Sequence, residues 1–145
     1  LLCLQKLQLR AVIEIKPIKG EELITARLCY RMLQRLWPER LSETLLASFS
    51  NLSLQAVRDL SSEQPLGYAM HHWDKYWQRG VEKYNCATIH VNHRILTKKR
   101  LQQLRMSHCP VLAYTVNRSK RAKKLFNWGL DGVFTDYPER IQAVS

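Results

Sequence analysis

The sequence predicts an α/β fold with parallel strands, and three observations support this. Segments with strand character alternate with segments of helical periodicity, about every 20 to 25 residues. Such strict alternation implies crossover helices, and therefore parallel strands that are covered on both faces. One predicted strand, 44–49, is nearly continuous in apolar character, as strands in such sheets are. No G-x-G-x-x-G follows any predicted strand, so a dinucleotide-binding fold has no support.

Six such units without that glycine pattern predict a (β/α)₈ TIM barrel, here a fragment with about six βα units. A whole barrel usually needs about 250 residues, so about 100 residues are expected to be absent from this chain. The chain lacks an initiator Met and begins inside a helical pattern, which favours the same interpretation.

The predicted strands are short runs of β-branched and aromatic residues bounded by proline, glycine or polar residues. In chain order they are 11–16, 44–49, 65–70, 87–91, 110–117 and 130–135. Pro17 closes the first of them, and the fourth alternates between apolar and polar residues.

The predicted helices repeat apolar residues at a spacing of three or four. In chain order they are 1–10, 21–36, 51–60, 73–84, 97–107, 119–128 and 138–143. The apolar positions of the second helix are Leu23, Ile24, Leu28, Met32 and Leu36. Ser50 or Asn51 supplies the N-cap of the third helix, and Gly129 ends the sixth. The fifth helix is basic, with Leu101 and Leu104 directed inward.

The composition is that of a globular protein with an anionic partner. Of 145 residues, 46% are hydrophobic and 24% are charged, and the net charge of +11 favours phosphate esters, nucleic acid or acidic membrane surfaces. The four cysteines form no C-x-x-C pair, which argues against zinc and for free thiols in the cytoplasm. No apolar run reaches the ~18 residues of a membrane-spanning helix, and the first residues do not resemble a signal peptide.

The first strand carries the clearest candidate for a functional site. Its alternation places Ala11, Ile13 and Ile15 on one face and Val12, Glu14 and Lys16 on the other. A carboxylate and an ammonium thus share one face at the end of the strand where TIM-barrel sites are built. The carboxylate suits Mg²⁺ or Ca²⁺, and the ammonium suits a phosphoryl oxygen. The alternative is an exposed strand face with no function.

Five segments in order resemble the glycerophosphodiester phosphodiesterase family, in its compact cytoplasmic bacterial type. They are IEIKP (13–17), ASF (47–49), SLQAVR (53–58), YTVN (114–117) and GLDGVFTDYP (129–138). The resemblance implies a TIM barrel that hydrolyses glycerophosphodiesters to an alcohol and glycerol 3-phosphate with a divalent cation, in glycerophospholipid breakdown. It also implies that Glu14 is a metal ligand and that Lys16 faces the phosphate.

The resemblance also marks what this chain lacks. The family's HRG segment and its acidic segment ending in HD carry the two catalytic histidines and two further metal ligands, and neither segment occurs here. We therefore expect residues 1–145 to be the C-terminal part of a single phosphodiesterase domain, and to be inactive alone. No catalytic residue of the family is identified in this chain.

Four further residues are candidates for contact with the substrate or its phosphate: His90, Asn117, Phe49 and Tyr114. His90 shares a strand face with Thr88 and Asn92, but a lone histidine is more often structural. Asn117 binds substrate or caps the next helix, and the two aromatic residues wall a pocket or pack between sheet and helices. For Asp136 a turn or N-cap role is preferred. The segment 71–73, His-His-Trp, is a candidate for a loop that covers the substrate.

Two other functions stay open: a non-catalytic remnant that binds anions or partners, and a phospholipase D-like toxin. The basic run 118–124 distributes its charges around a helix, and the aromatic residues nearby, Phe126 and Trp128, have the spacing of core residues, so nucleic acid is not expected as a partner. Stable membrane insertion is not expected either. Six parallel strands cannot close an eight-stranded barrel, so we expect poor solubility, a homo-oligomer or a missing N-terminal segment.

Overall fold

The computed structural model describes residues 2–142 and has the alternating order of strands and helices that the sequence predicts. The strands are β1 (Val12–Ile15), β2 (Leu45–Ser48), β3 (Leu66–Met70), β4 (Thr88–Asn92), β5 (Val111–Tyr114) and β6 (Gly132–Val133). The helices are α1 (Leu2–Lys6), α2 (Glu22–Leu36), α3 (Asn51–Arg58), α4 (Trp77–Lys83), α5 (Lys98–Arg105), α6 (Ser119–Asn127) and α7 (Pro138–Gln142), with a 3₁₀ helix at Pro38–Glu43. Leu1 and Ala143, which the predicted first and last helices included, lie outside the described residues.

The strands follow one another in the sheet in chain order, β1 to β6. By contacts the chain divides into two compact units. The first unit comprises the described residues up to Tyr68 together with Gly80–Cys86, and the second comprises Ala69–Arg79 and the described residues from Ala87 onwards. None of the helices that the structure describes is long and apolar enough to cross a membrane.

In the first unit, β1 pairs in parallel with β2, and β2 pairs in parallel with β3. The register places Glu14 beside Ala47 and Ile15 beside Ser48. Ser50 caps α3 as predicted, because its side chain accepts a hydrogen bond from the backbone N–H of Ser53 at 3.2 Å. The ends of β1 and β2 and the start of α3 therefore lie together.

The buried side of α2 is not the side that carries the apolar positions from which the helix was predicted. The buried residues are Ala26, Tyr30 and Leu33. The five apolar positions that predict the helix are all exposed: Leu23 42%, Ile24 59%, Leu28 54%, Met32 59% and Leu36 54%. The apolar periodicity predicted the helix correctly but not which side of it is buried. The side that carries the small Ala26 and the long Tyr30 packs against the core.

In the second unit, β4 pairs in parallel with β5, and β5 with β6. Leu101 and Leu104 of α5 are fully buried, as their spacing predicts. Gly129 follows the end of α6 with a φ of +93°, a conformation that favours glycine, and so it ends this helix. Helix α4 begins at Trp77, later than predicted, because Asp74 accepts the backbone N–H of Tyr76 and holds a turn there.

Candidate functional site

Glu14 and Lys16 form an ion pair at the end of β1. The ammonium nitrogen of Lys16 lies 3.4 Å from Oε1 of Glu14, and the two side chains are 75% and 37% exposed. Ile15 between them is 4% exposed, so the predicted alternation of faces is observed. Because water competes for both charges, each group remains accessible to a ligand.

An open pocket of about 340 Å³ lies beside this pair, within the first unit. Its lining residues are Ile15, Lys16, Pro17, Lys19, Glu22, Phe49 and Ser50. The volume falls in the range of small-molecule sites. Lys16, Lys19, Phe49 and the capping residue Ser50 thus border one cavity together with the acidic Glu22. The two lysines outnumber the carboxylate, so the cavity has the chemistry to receive a small anion with an apolar part.

Ser48 holds this end of the sheet in place. Its buried hydroxyl donates to the carbonyl of Ile15 at 2.8 Å and accepts the backbone N–H of Ser50 at 3.1 Å. The hydroxyl thereby fixes the strand residue between Glu14 and Lys16. Sequence reasoning noted Ser48 only as part of a family segment, because its partner Ile15 is distant in the chain.

His90 lies in β4 of the second unit and is only 4% exposed. Its Nε2 is 3.0 Å from Oγ1 of Thr88, and its ring meets the ring of Phe134 edge to face at 5.0 Å. Burial lowers the pKa of His90 to about 4, so the imidazole is neutral at pH 7. These contacts suit a structural histidine, and substrate contact by His90 stays a prediction.

Tyr114, at the end of β5, lies near two polar residues from neighbouring strand ends. Its hydroxyl donates to the carbonyl of Met70 at 2.9 Å, and its ring stacks on that of His71 with centroids 6.4 Å apart. The side-chain amide nitrogen of Asn92 is 3.4 Å from Nδ1 of His71. The His-His-Trp segment therefore begins at a strand end. The sequence had indicated this segment as a candidate loop, but the contact of His71 with Tyr114 depends on the positions of the strands and could not be predicted.

Asn117 uses its side chain to join the loops that follow β5 and β6. Its Nδ2 donates to Oδ2 of Asp136 at 2.8 Å, and its Oδ1 accepts from the backbone N–H of Asp136 at 3.0 Å and from Oγ1 of Thr135 at 3.2 Å. The N-cap of α6 is Arg118, so Asn117 does not take the capping role considered for it. A contact between Asn117 and substrate would have to form alongside these bonds.

The carboxylate of Glu14 can give a divalent cation one oxygen ligand. Within residues 2–142, no three His, Cys, Asp or Glu side chains are grouped closely enough to hold a metal ion. The described residues therefore do not fit a complete divalent metal site. Any further ligands would have to come from beyond them.

The structure places the candidate residues in two sets. Lys16 and Phe49 border one pocket beside Glu14 in the first unit. In the second unit Tyr114 lies with His71 and Asn92, whereas His90 is buried and Asn117 is bonded to Asp136. Glu14, Lys16, Phe49, Asn117 and Tyr114 all lie at or just beyond the C-terminal end of a strand, where TIM-barrel sites are built.

Comparison with known proteins decides the family. The model of the glycerophosphoryl diester phosphodiesterase family matches residues 2–140. The chain belongs to this family. This confirms the resemblance found in the five sequence segments.

Solved structures agree. A phosphodiesterase of Oleispira antarctica, solved with its product sn-glycerol-3-phosphate, has 31% sequence identity and a TM-score of 0.87, over 97% of this chain and 56% of that one. A glycerophosphodiester phosphodiesterase of Parabacteroides distasonis has 16% identity and a TM-score of 0.77, over 97% of this chain and 59% of that one. The predicted fold class is therefore confirmed: the six parallel strands with alternating helices are part of a TIM barrel.

Curated sequences match over a shorter stretch. The uncharacterized protein YqiK of Bacillus subtilis is 39% identical over 54 residues, which are 37% of this chain and 22% of that protein. This chain thus spans little more than half of the solved relatives and matches about a fifth of YqiK.

Proposed function

We propose that this chain forms the C-terminal part of a single-domain, cytoplasmic enzyme that hydrolyses glycerophosphodiesters to an alcohol and glycerol 3-phosphate, in glycerophospholipid breakdown. The observation that carries the proposal is the pocket of Lys16, Lys19 and Phe49 beside Glu14. Membership of the family and the product complex of the Oleispira antarctica relative support it. The lack of disulfides among the four cysteines within residues 2–142 is compatible with a reducing cytoplasm.

The two ammonium groups would perform the electrostatic part of the reaction. A phosphodiester carries one negative charge, and hydrolysis adds water, breaks the bond between phosphorus and the alcohol oxygen, and leaves a monoester with up to two negative charges. Lys16 and Lys19 would offset the charge that builds up on the phosphoryl oxygens. Phe49 would cover the apolar side of the glycerol group.

The proposed enzyme also requires Mg²⁺ or Ca²⁺. Glu14 would contribute one ligand, and further ligands and the proton-transfer groups would come from another segment or another copy of the chain. Such an ion would supply charge neutralisation at the phosphate. For this reason we expect the isolated chain to be inactive.

The alternative is a non-catalytic remnant that binds anions through the same pocket. It is favoured by the lack of a three-ligand metal cluster among residues 2–142. ³¹P NMR of glycerophosphocholine, incubated with the full-length product of the gene and either Mg²⁺ or Ca²⁺, separates the two. Conversion of the diester signal to that of glycerol 3-phosphate is expected. A diester signal that keeps its full intensity but shifts or broadens on binding would favour the remnant.

A further inference from the structure

Helix α2 presents an apolar row to solvent. Ile24, Leu28, Met32 and Leu36 follow one another at every fourth position and are 59%, 54%, 59% and 54% exposed. Residues four apart lie on the same side of a helix, so these four side chains form a continuous stripe along its length.

This stripe is centred away from the core-facing side of α2. With about 100° between successive residues, Ile24 and Leu28 lie about 150 to 170° from the middle of the buried row of Ala26, Tyr30 and Leu33. Met32 and Leu36 lie at about 125° and 90°, toward the flank that a helix in the same layer would cover, but such a helix would not cover the outermost side with Ile24 and Leu28. The exposure of Ile24 and Leu28 therefore calls for a partner that approaches from outside the layer of helices.

Three arginines accompany the stripe. Arg27, Arg31 and Arg35 are exposed and repeat with the same spacing of four, and about 100° per residue places Arg31 and Arg35 next to it on the outward side and Arg27 at the edge of that side. The single acidic residue of α2, Glu22, lies in the first turn. The outward face of α2 is therefore apolar and cationic at once, the composition of helices that lie in the interface of anionic membranes.

We propose that the outward face of α2 docks the protein on an anionic phospholipid surface. The helix lies parallel to that surface, the apolar stripe enters the boundary between headgroups and acyl chains, and the arginines bind lipid phosphates. At 15 residues α2 is about 22 Å long. Docking of this kind needs no membrane-spanning segment.

Charge favours a lipid surface over a second copy of the chain. Two copies that paired through the stripe would bring their arginine rows toward each other, with few acidic groups on α2 to offset the repulsion. An anionic lipid surface, by contrast, complements both the arginines and the net charge of +11.

Vesicle flotation of the full-length product of the gene tests the proposal. Phosphatidylcholine vesicles with and without 30% phosphatidylglycerol serve as the probe, at about 50 mM and 500 mM salt. The protein is expected to float with the anionic vesicles alone, and more strongly at low salt. The double change Leu28→Gln and Met32→Gln is expected to weaken binding about tenfold, and the triple change of Arg27, Arg31 and Arg35 to Gln at least tenfold.

Matched controls remove similar groups elsewhere. Leu52 and Met106 are 53% and 71% exposed, and Leu52→Gln with Met106→Gln removes the same apolar groups from α3 and from the C-cap of α5. Changing Lys98, Lys99 and Lys123 to Gln removes the same charge from α5 and α6. Both controls are expected to retain more than half of the vesicle binding, and circular dichroism checks that every variant is folded.

Three results would overturn the proposal. If the lysine control lost as much vesicle binding as the arginine variant, the protein would adsorb through its net charge and not through α2. If the Leu28 and Met32 variant bound vesicles as strongly as the wild type, the stripe would not enter the lipid. A concentration-dependent dimer in sedimentation equilibrium that this variant abolishes, together with unchanged vesicle binding, would assign the stripe to a second copy.

Discussion

The ammonium nitrogen of Lys16 lies 3.4 Å from Oε1 of Glu14, at the end of β1, with both side chains open to water. The two opposite charges form an ion pair at the protein surface. Exposed pairs of this kind contribute little to folding because water and salt screen them. A ligand can therefore reach both charged groups. Experiments can separate the part that the pair plays in folding from the part that it plays in binding and catalysis.

Removal of either charge should barely affect folding. We expect Glu14→Gln and Lys16→Gln each to change the free energy of unfolding by no more than about 1 kcal/mol, because the pair is exposed. Urea unfolding followed by circular dichroism measures this. A loss several times larger in either variant would show that the pair maintains the fold, and would remove the argument for a site.

The pocket should bind glycerol 3-phosphate through its two lysines. In isothermal titration calorimetry we expect the double change Lys16→Gln and Lys19→Gln to weaken binding about tenfold or more, because both lysines border the cavity that we propose receives the phosphate. Lys98→Gln with Lys99→Gln is the matched control, as it removes the same charge from α5. An equal loss in both variants would mean that general charge and not the pocket binds the anion.

Burial of His90 should make the protein less stable in acid. The pKa of His90 is lowered from 6.5 to about 4 in the folded protein, so between these values the unfolded chain binds the proton and the folded one does not. The contribution of His90 to the free energy of unfolding has its full value above about pH 6.5. It decreases as the pH drops toward 4, by up to about 3 kcal/mol. Urea unfolding between pH 7.5 and 4.5 measures the slope.

The variant His90→Gln should flatten that slope, while the exposed His72→Gln should leave it unchanged. Part of the slope will remain, because burial and the charges of Arg121 and Arg94 also lower the pKa of His93. Identical slopes in the parent chain and in His90→Gln would contradict the account of His90 as a neutral, buried group.

Arg58 should be necessary for the stability of the first unit. Its guanidinium donates to the carbonyls of Tyr84 at 2.9 Å, Ser61 at 3.0 Å, Gln64 at 3.0 Å, Asn85 at 3.2 Å and also Ser62. A lysine keeps the charge but cannot span these acceptors. We expect Arg58→Lys to lower the free energy of unfolding by about 2 kcal/mol or more. The exposed Arg35→Lys is the control, and equal effects of the two changes would refute this role.

Local signals predicted much of the fold. Ser50 caps α3 and Gly129 ends α6 because each requirement is set within a few residues of the chain. The alternation around Ile15 likewise separates the exposed charges from the core, because neighbouring residues of a strand point to opposite faces. The parallel order of the strands followed from the alternation of elements, since crossover helices require it.

Features that depend on distant partners were not predictable. The apolar stripe of α2 identified a helix but not its buried side, which depends on which row fits the sheet. His71 meets Tyr114 only because strands place them together, and Asn117 bonds Asp136 across two loops. Pairing across such sequence separations leaves no periodic pattern in the chain.

The measurement that tests the central claim most directly is the release of glycerol 3-phosphate from glycerophosphocholine by the full-length product of the gene. Wild type is compared with Glu14→Ala and with Glu21→Ala, an exposed glutamate of the same unit. We expect metal-dependent release that EDTA abolishes, a fall of about a hundredfold or more in kcat/KM for Glu14→Ala, and little change for Glu21→Ala. Unchanged release by Glu14→Ala would contradict the assignment of the site to the end of β1.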